Sequence, residues 1–160
     1  SFYNRFFRRF KAPESWFYPG ALLKDKTKMF IGKSNCDVGV FVNRGFVKAS
    51  NVIVVVDSEK DLFLLEYAST LLKTTHGSVS ILDRSSSTTP GSEKIKHAIR
   101  QFVDTTKQAS LLADKDMTAA IFSNYNFMLI SYDTWNDVSE HRREALQKMP
   151  STLIMNHKEK

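Results

Sequence analysis

The side chains best suited to nucleophilic or metal chemistry are scattered along the chain. The four histidines, His76, His97, His141 and His157, have neither the i, i+4 pairing nor the carboxylate spacing of a metal site. Cys36 is the only cysteine and has no CxxC partner, so it predicts a small packed side chain. No serine lies in a Gly-x-Ser-x-Gly elbow. We therefore expect no catalytic residues, no metal site and no enzyme.

A second group of polar residues directly follows predicted strands. Parallel strands place their carboxyl ends along one edge of a sheet, where ligands of open α/β proteins bind. The candidate ligand-binding residues at this edge are Asp57, Ser58, Arg84, Ser131 and Asp133. An alternative for the first two is purely structural, because Ser58 followed three residues later by Asp61 is typical of a helix cap.

The elements that must position these residues alternate from residue 51 onward. Residues 52–56 are a continuous β-branched run, typical of a strand buried on both faces. A helix is predicted from Ser58 to Thr75, ending near Gly77. Further apolar patterns predict, in order, a strand at 79–82, an exposed loop at 85–91, a helix over 95–103, a strand at 109–113, a short helix at 117–121, a strand at 127–130, a helix from 134 to 149 ended by Pro150, and a strand at 152–155.

This βαβ order predicts a Rossmann-like α/β fold, with a five-stranded parallel sheet and helices on both faces. A further strand at 38–42 does not fit, because the connection to residue 51 is too short for a crossover helix. That strand must pair elsewhere, at an edge of the sheet. We expect residues 1–46 to be a separate N-terminal segment ending in this edge strand, and residues 47–160 to form the α/β domain.

The charge is uneven along the 160 residues, whose net charge is +6. Residues 1–50 hold 10 Lys and Arg against 3 Asp and Glu, whereas residues 51–160 hold 13 against 14. A domain without excess positive charge lacks the basic surface that binds nucleic acid. We therefore exclude nucleic acid as a partner. The longest apolar run, 52–56, is too short to cross a bilayer. We expect a soluble fragment of a longer protein, since the chain begins at Ser1 rather than Met.

The N-terminal segment places aromatic residues on one helical face and basic residues around the rest. One hypothesis is an amphipathic element on an anionic membrane surface. The other is a helix packed on its own domain or on a neighbouring unit. The candidate membrane or partner contacts are Arg5, Phe6, Arg8, Arg9 and Phe10.

Residues 34–84 carry a family resemblance. The run from Asn35 to Gly45, with Cys-x-Val-Gly and Arg-Gly, is followed by a strand at 52–57, a helix containing Tyr67-Ala68 and a strand at 79–84. This order resembles the cytosolic tail of monovalent cation/proton antiporters of the bacterial and plant cation/H+ exchanger type. In that family the Cys-x-Val-Gly strand closes one universal-stress-protein-like unit and the next unit follows.

The resemblance implies a non-catalytic regulatory domain on the cytoplasmic side of the cell membrane, in the same polypeptide as an antiporter membrane domain. We expect this domain to act through dimerisation or by sensing a small ligand. It also implies that strand 38–42 pairs antiparallel with strand 152–156, and that the protein works as a homodimer or with a paired sister unit. The residues expected to form this self-association edge are Val38, Val40, Val42, Leu153 and Met155.

Nucleotide binding is the alternative that the resemblance leaves open. Nucleotide-binding universal stress proteins carry a Gly-x2-Gly-x9-Gly-Ser/Thr loop after the fourth strand, but here residues 131–137 contain no glycine and include Asp133 and Asp137. Asp57 does occupy the position that faces the base and ribose in those relatives. We expect no cofactor. The alternatives are a free-standing nucleotide-binding universal stress protein and, less favoured, an adenylate-handling enzyme.

Overall fold

The computed structural model describes residues 29, 31, 33, 34, 36–113 and 115–158. Strands and helices alternate along most of this part of the chain. In order they are β1 (Val38–Val42), β2 (Asn51–Val56), a 3-10 turn (Glu59–Asp61), α1 (Phe63–Thr75), β3 (Ser78–Asp83), α2 (Ser92–Thr105), β4 (Ala109–Leu111), α3 (Ala119–Phe122), β5 (Phe127–Ser131), α4 (Tyr132–His141), α5 (Arg143–Leu146) and β6 (Ser151–Asn156).

The strands form one six-stranded mixed sheet in the order β1-β6-β5-β2-β3-β4. The five strands from β2 to β6 are parallel, and β1 adds to the β6 edge in the antiparallel direction. The register pairs Val38 with Asn156 and Val42 with Thr152. The predicted parallel sheet with one antiparallel edge strand is therefore confirmed.

Strand β2 lies at the centre because its β-branched side chains fill both faces of the sheet. Residues 52–56 are at most 1% exposed. Val52, Val54 and Val56 belong to the core under α1 and α2, whereas Ile53 and Val55 belong to the core under α3, α4 and α5. Two separate apolar layers thus cover the sheet, as the alternation of strands and helices predicts.

The chain runs from β2 through β3 to β4 on one side, and β5 and β6 lie on the other side of β2. The switch point of the sheet is therefore between β2 and β5. Loops that follow these two strands diverge to opposite faces and leave a crevice at their carboxyl ends.

Several predicted boundaries differ from those of the structure. The helix predicted from Ser58 begins with a 3-10 turn, and α1 itself starts at Phe63. His76, at φ 52°, takes the left-handed position that ends α1, where a glycine was expected. The helix predicted over 134–149 starts at Tyr132 and is interrupted at Arg142, whose extended φ of −137° separates α4 from α5. Strand β4 has only three residues.

Within the part of the chain that is described, no helix has both the length and the apolar character that a bilayer crossing requires.

Candidate functional site

Arg84 lies at the carboxyl edge of the sheet, beside the end of the neighbouring strand β2. It follows β3, and its side chain is only 14% exposed. Nη1 is 3.9 Å from Asp57 Oδ2, and Nη2 is 3.9 Å from Asp137 Oδ2. Nη1 also lies 3.7 Å from Met117 Sδ. The guanidinium thus connects the ends of β2 and β3 with α4 and the segment that precedes α3.

The charge balance of this cluster is acidic. Burial raises the pKa of Asp57, Arg84 opposes this change, and the carboxylates of Asp61, Asp137 and Asp83 raise the pKa further. One guanidinium is therefore shared by carboxylates on two sides. Such a cluster does not provide the excess of positive charge and backbone N–H donors that holds a phosphate group.

The Asp61 carboxylate accepts hydrogen bonds from groups at the end of β2 and at the start of α4. This carboxylate is 1% exposed, and its Oδ2 atom accepts the backbone N–H groups of Asp57 at 2.8 Å and Ser58 at 2.9 Å. The hydroxyl of Thr134 donates to the same oxygen at 3.0 Å. The capping interpretation of Ser58 and Asp61 is confirmed, and the cap also fixes the start of α4 against the end of β2.

Ser131, another candidate, has a structural contact of the same kind. Its hydroxyl accepts the backbone N–H of Thr134 at 3.2 Å, and it is 5% exposed. Asp133, by contrast, is an exposed residue in the first turn of α4. The five candidate residues therefore lie in two places. Asp57, Ser58 and Arg84 follow β2 and β3, whereas Ser131 and Asp133 lie at the start of α4.

A cavity of about 220 Å³ lies beside those two positions, at the ends of β5 and β6. Ser131 and Asp133 line it, whereas Asp57, Ser58 and Arg84 do not. Its other lining residues are Lys60, Asp61, Phe63, Tyr132, Met155, Asn156 and His157. The lining carries both signs of charge and three ring side chains, and no glycine-built cradle is among these residues.

Comparison with protein-family models, curated proteins and solved structures gives no match. The chain's own geometry is therefore the basis of any functional assignment.

The loop predicted over 85–91 is only partly exposed. Ser85 is 1% exposed, and both its hydroxyl and its backbone N–H donate to Asp83 Oδ1, at 2.6 Å and 2.9 Å. Lys115 Nζ donates to the carbonyl oxygen of Ser85 at 3.2 Å. This serine therefore secures the end of β3 instead of facing solvent.

Cys36 also differs from the prediction. It is an exposed free thiol, 3.3 Å from Ser34 Oγ, and does not pack in a core. Among the residues whose positions are described, no group of three or more His, Cys, Asp or Glu side chains is arranged to hold a metal ion. Arg5, Phe6, Arg8, Arg9 and Phe10 lie outside the described residues.

The residues assigned to the self-association edge meet within this one chain. Val38, Val40 and Val42 lie on β1, and Leu153 and Met155 lie on β6, its neighbour in the sheet. Leu153 is opposite Phe41, and Met155 is opposite Gly39. The contact between the N-terminal segment and the α/β domain is thus an ordinary ladder of an antiparallel sheet.

Sequence reasoning missed a polar group around Asp37, just before β1. Lys158 N donates to its Oδ1 at 2.9 Å, Tyr67 Oη donates to its Oδ2 at 3.2 Å, and His157 Nδ1 lies 3.1 Å away. No local pattern indicates this contact of His157, because Asp37 is 120 residues distant in sequence. Only the expected pairing of strand 38–42 with strand 152–156 would have brought the two residues together.

Proposed function

We propose that this chain is a cytosolic, non-catalytic regulatory part of a monovalent cation/proton antiporter. In this proposal β1 closes a preceding universal-stress-protein-like unit, and residues 47–160 form the next unit. The membrane domain of the same polypeptide carries the transport, as Na+/H+ or K+/H+ exchange. Regulation acts through the way in which units pair.

The observation that supports this proposal best is the position of β1. The strand that carries Val-Gly of the family-like run pairs antiparallel with the last strand of the α/β domain over five residue pairs. Otherwise parallel sheets of α/β proteins often carry an antiparallel edge strand, but in this chain that strand precedes the first parallel strand and carries the family-like run. A junction between two consecutive units accounts for both the strand and its direction.

The carboxyl edge of the sheet supports a role without phosphate chemistry. Arg84 faces two carboxylates, and the residues at the start of α4 are used in capping. Titration calorimetry of the chain with ATP, AMP, NADH and cyclic dinucleotides should give no binding in the micromolar range. Tight binding of ATP would favour a free-standing nucleotide-binding universal stress protein instead.

The transport test uses the polypeptide from which this chain comes. We expect the reading frame upstream of Ser1 to encode apolar membrane helices, and its product to exchange Na+ or K+ for protons in vesicles from an antiporter-deficient bacterial host. Val40→Pro, which removes a backbone N–H from β1, should change the exchange rate severalfold at equal expression. Val47→Pro, at a residue 88% exposed, is the control. A frame without membrane helices would refute the proposal.

A further inference from the structure

The contacts of Asp37 join the two ends of the described chain. The carboxylate stands immediately before β1, and the groups that bind it come from just after β6 and from α1. These are the backbone N–H of Lys158, the imidazole of His157 and the phenol of Tyr67. Within the described residues β1 pairs with β6 alone, so a contact at this point acts directly on the docking of β1.

The ring of His157 is held in place yet reachable by water. It stacks on Phe63, with centroids 4.9 Å apart and planes 20° from parallel. Its side chain remains 40% exposed, and that of Asp37 is 38% exposed. Protons can therefore exchange with solvent, while the stack keeps Nδ1 directed at the carboxylate.

Among the groups that the structure shows in contact with Asp37, His157 supplies an imidazole. Burial pushes the pKa of Asp37 up, but hydrogen bonds from Lys158 and His157, the charge of His157 and the Tyr67 hydroxyl outweigh it and leave the pKa below its usual value. Burial, together with Asp37 and Glu66, raises the pKa of Tyr67, so the phenol stays a neutral donor. An imidazole ordinarily titrates near pH 6.5.

Other charges near His157 lie across the cavity that it lines. Lys60 and Asp61 come from the 3-10 turn, and Asp133 comes from the first turn of α4. Asp61 is engaged by three donors of its own, and Lys60 and Asp133 are exposed and of opposite sign. Asp37, at 3.1 Å, is therefore the partner that responds most to protonation of the ring.

We propose that Asp37 and His157 form a proton-sensitive latch, in which protonation of His157 strengthens the docking of β1 on β6. As the pH falls through the imidazole range, an ion pair replaces the contact between a neutral imidazole and the ionised carboxylate. The two side chains are partly exposed, so the gain is modest, about threefold in the closed-to-open ratio of β1. Any effect of the latch on transport rests on the proposed function, whereas the latch itself is a property of this chain.

Hydrogen exchange of the backbone amides measures this ratio in the whole chain. Protection of β1 amides, divided by that of β2 amides and corrected for intrinsic exchange, should be about threefold greater at pH 5.5 than at pH 8. The ratio should become independent of pH in His157→Gln, which keeps a polar side chain without the charge. His97→Gln, at an exposed histidine of α2, is the matched control and should retain the full pH dependence.

A second measurement needs no variant. In a pH titration by NMR of the native chain, the ring protons of His157 and the amides of β1 should shift with one midpoint. Equal β1 protection at both pH values, or a pH dependence that persists in His157→Gln, overturns the latch. Either result leaves the antiporter proposal standing, because the vesicle assay with Val40→Pro tests that separately.

Discussion

Asp61 shows how one buried side chain can connect two distant segments. Its Oδ2 atom accepts two backbone N–H groups that end β2 and the hydroxyl of Thr134 that begins α4. Sequence alone indicated the local half of this arrangement, because the capping pattern lies within four residues. The contact with Thr134 spans 73 residues and depends on the strand order, which no local pattern encodes.

Asp61→Ala should lower the free energy of unfolding by about 2 kcal/mol, because it leaves buried donors without an acceptor. Urea denaturation measures the loss. Asp116→Ala, at an exposed residue with a 3.6 Å surface contact to Arg142, should change stability by less than about 0.5 kcal/mol. Equal effects of the two substitutions would contradict the role assigned to Asp61.

Asp57 makes a pH-dependent contribution to the free energy of unfolding. Because its pKa is raised in the folded state, mainly by burial, ionisation is easier in the unfolded chain, and stability from this group falls as the pH rises above about 4. Asp57→Asn should therefore raise the melting temperature relative to the native chain at pH 7, and this difference should vanish at pH 3. Thermal unfolding followed by circular dichroism tests it, with Asp116→Asn as the control.

Gly77 is required by a close approach between backbones. A Cβ atom at this position would lie 2.4 Å from the carbonyl oxygen of Ser50, which accepts the N–H of Ser78. Gly77→Ala should lower the free energy of unfolding by about 2 kcal/mol. Gly39→Ala is a milder comparison, because its Cβ would meet the movable Leu153 Cδ1 at 3.2 Å. Denaturant midpoints that rank the two variants in reverse order would refute this explanation.

At the scale of elements, the connection between β1 and β2 contributes to the core. Phe46, in this connection, lies 5.4 Å from both Phe41 on β1 and Phe127 on β5, measured between ring centroids. The Phe46 N–H also donates to Asn43 Oδ1 at 2.9 Å. The connection therefore packs its aromatic residue over the β1, β6 and β5 side of the sheet.

Phe46→Ala should lower the free energy of unfolding by about 2 kcal/mol, since it removes a partly buried ring that touches two others. Val47→Ala, at the next residue, should have almost no effect because its side chain is 88% exposed. Urea denaturation of both variants compares the buried and exposed positions. A large loss in Val47→Ala would show that this connection packs differently.

The elements that sequence predicted well are those with strong periodicity. The continuous run at 52–56 and the stripes of α1 and α2 leave no alternative placement for their apolar side chains. The interruption at Arg142 and the left-handed His76 were missed because neither residue type signals such a backbone, and tertiary packing outweighs local preference there. The Asp37 group was missed for the same reason as Thr134, since it forms only after the sheet is assembled.

At the scale of the whole molecule, β1 protects the edge formed by β6. Without residues 1–46, the backbone of β6 would keep β5 but lose its antiparallel neighbour β1, and Leu153 and Met155, now 3% and 4% exposed, would lose part of their cover. Exposed, regular edge strands template pairing with another chain. We expect a chain that starts at residue 47 to dimerise through β6, as measured by sedimentation velocity. A stable monomer of this shortened chain would contradict the prediction.

The pairing of β1 with β6 also sets an order of events during synthesis. Val38 and its partner Asn156 are 156 − 38 = 118 residues apart, and every residue between them leaves the ribosome before Asn156 does. At about 5 to 20 residues per second, β1 waits about 6 to 24 s for its neighbour strand. During this interval its backbone N–H and C=O groups have no strand of this domain to bind. The docking of β1 on the domain is therefore the last strand pairing that synthesis allows.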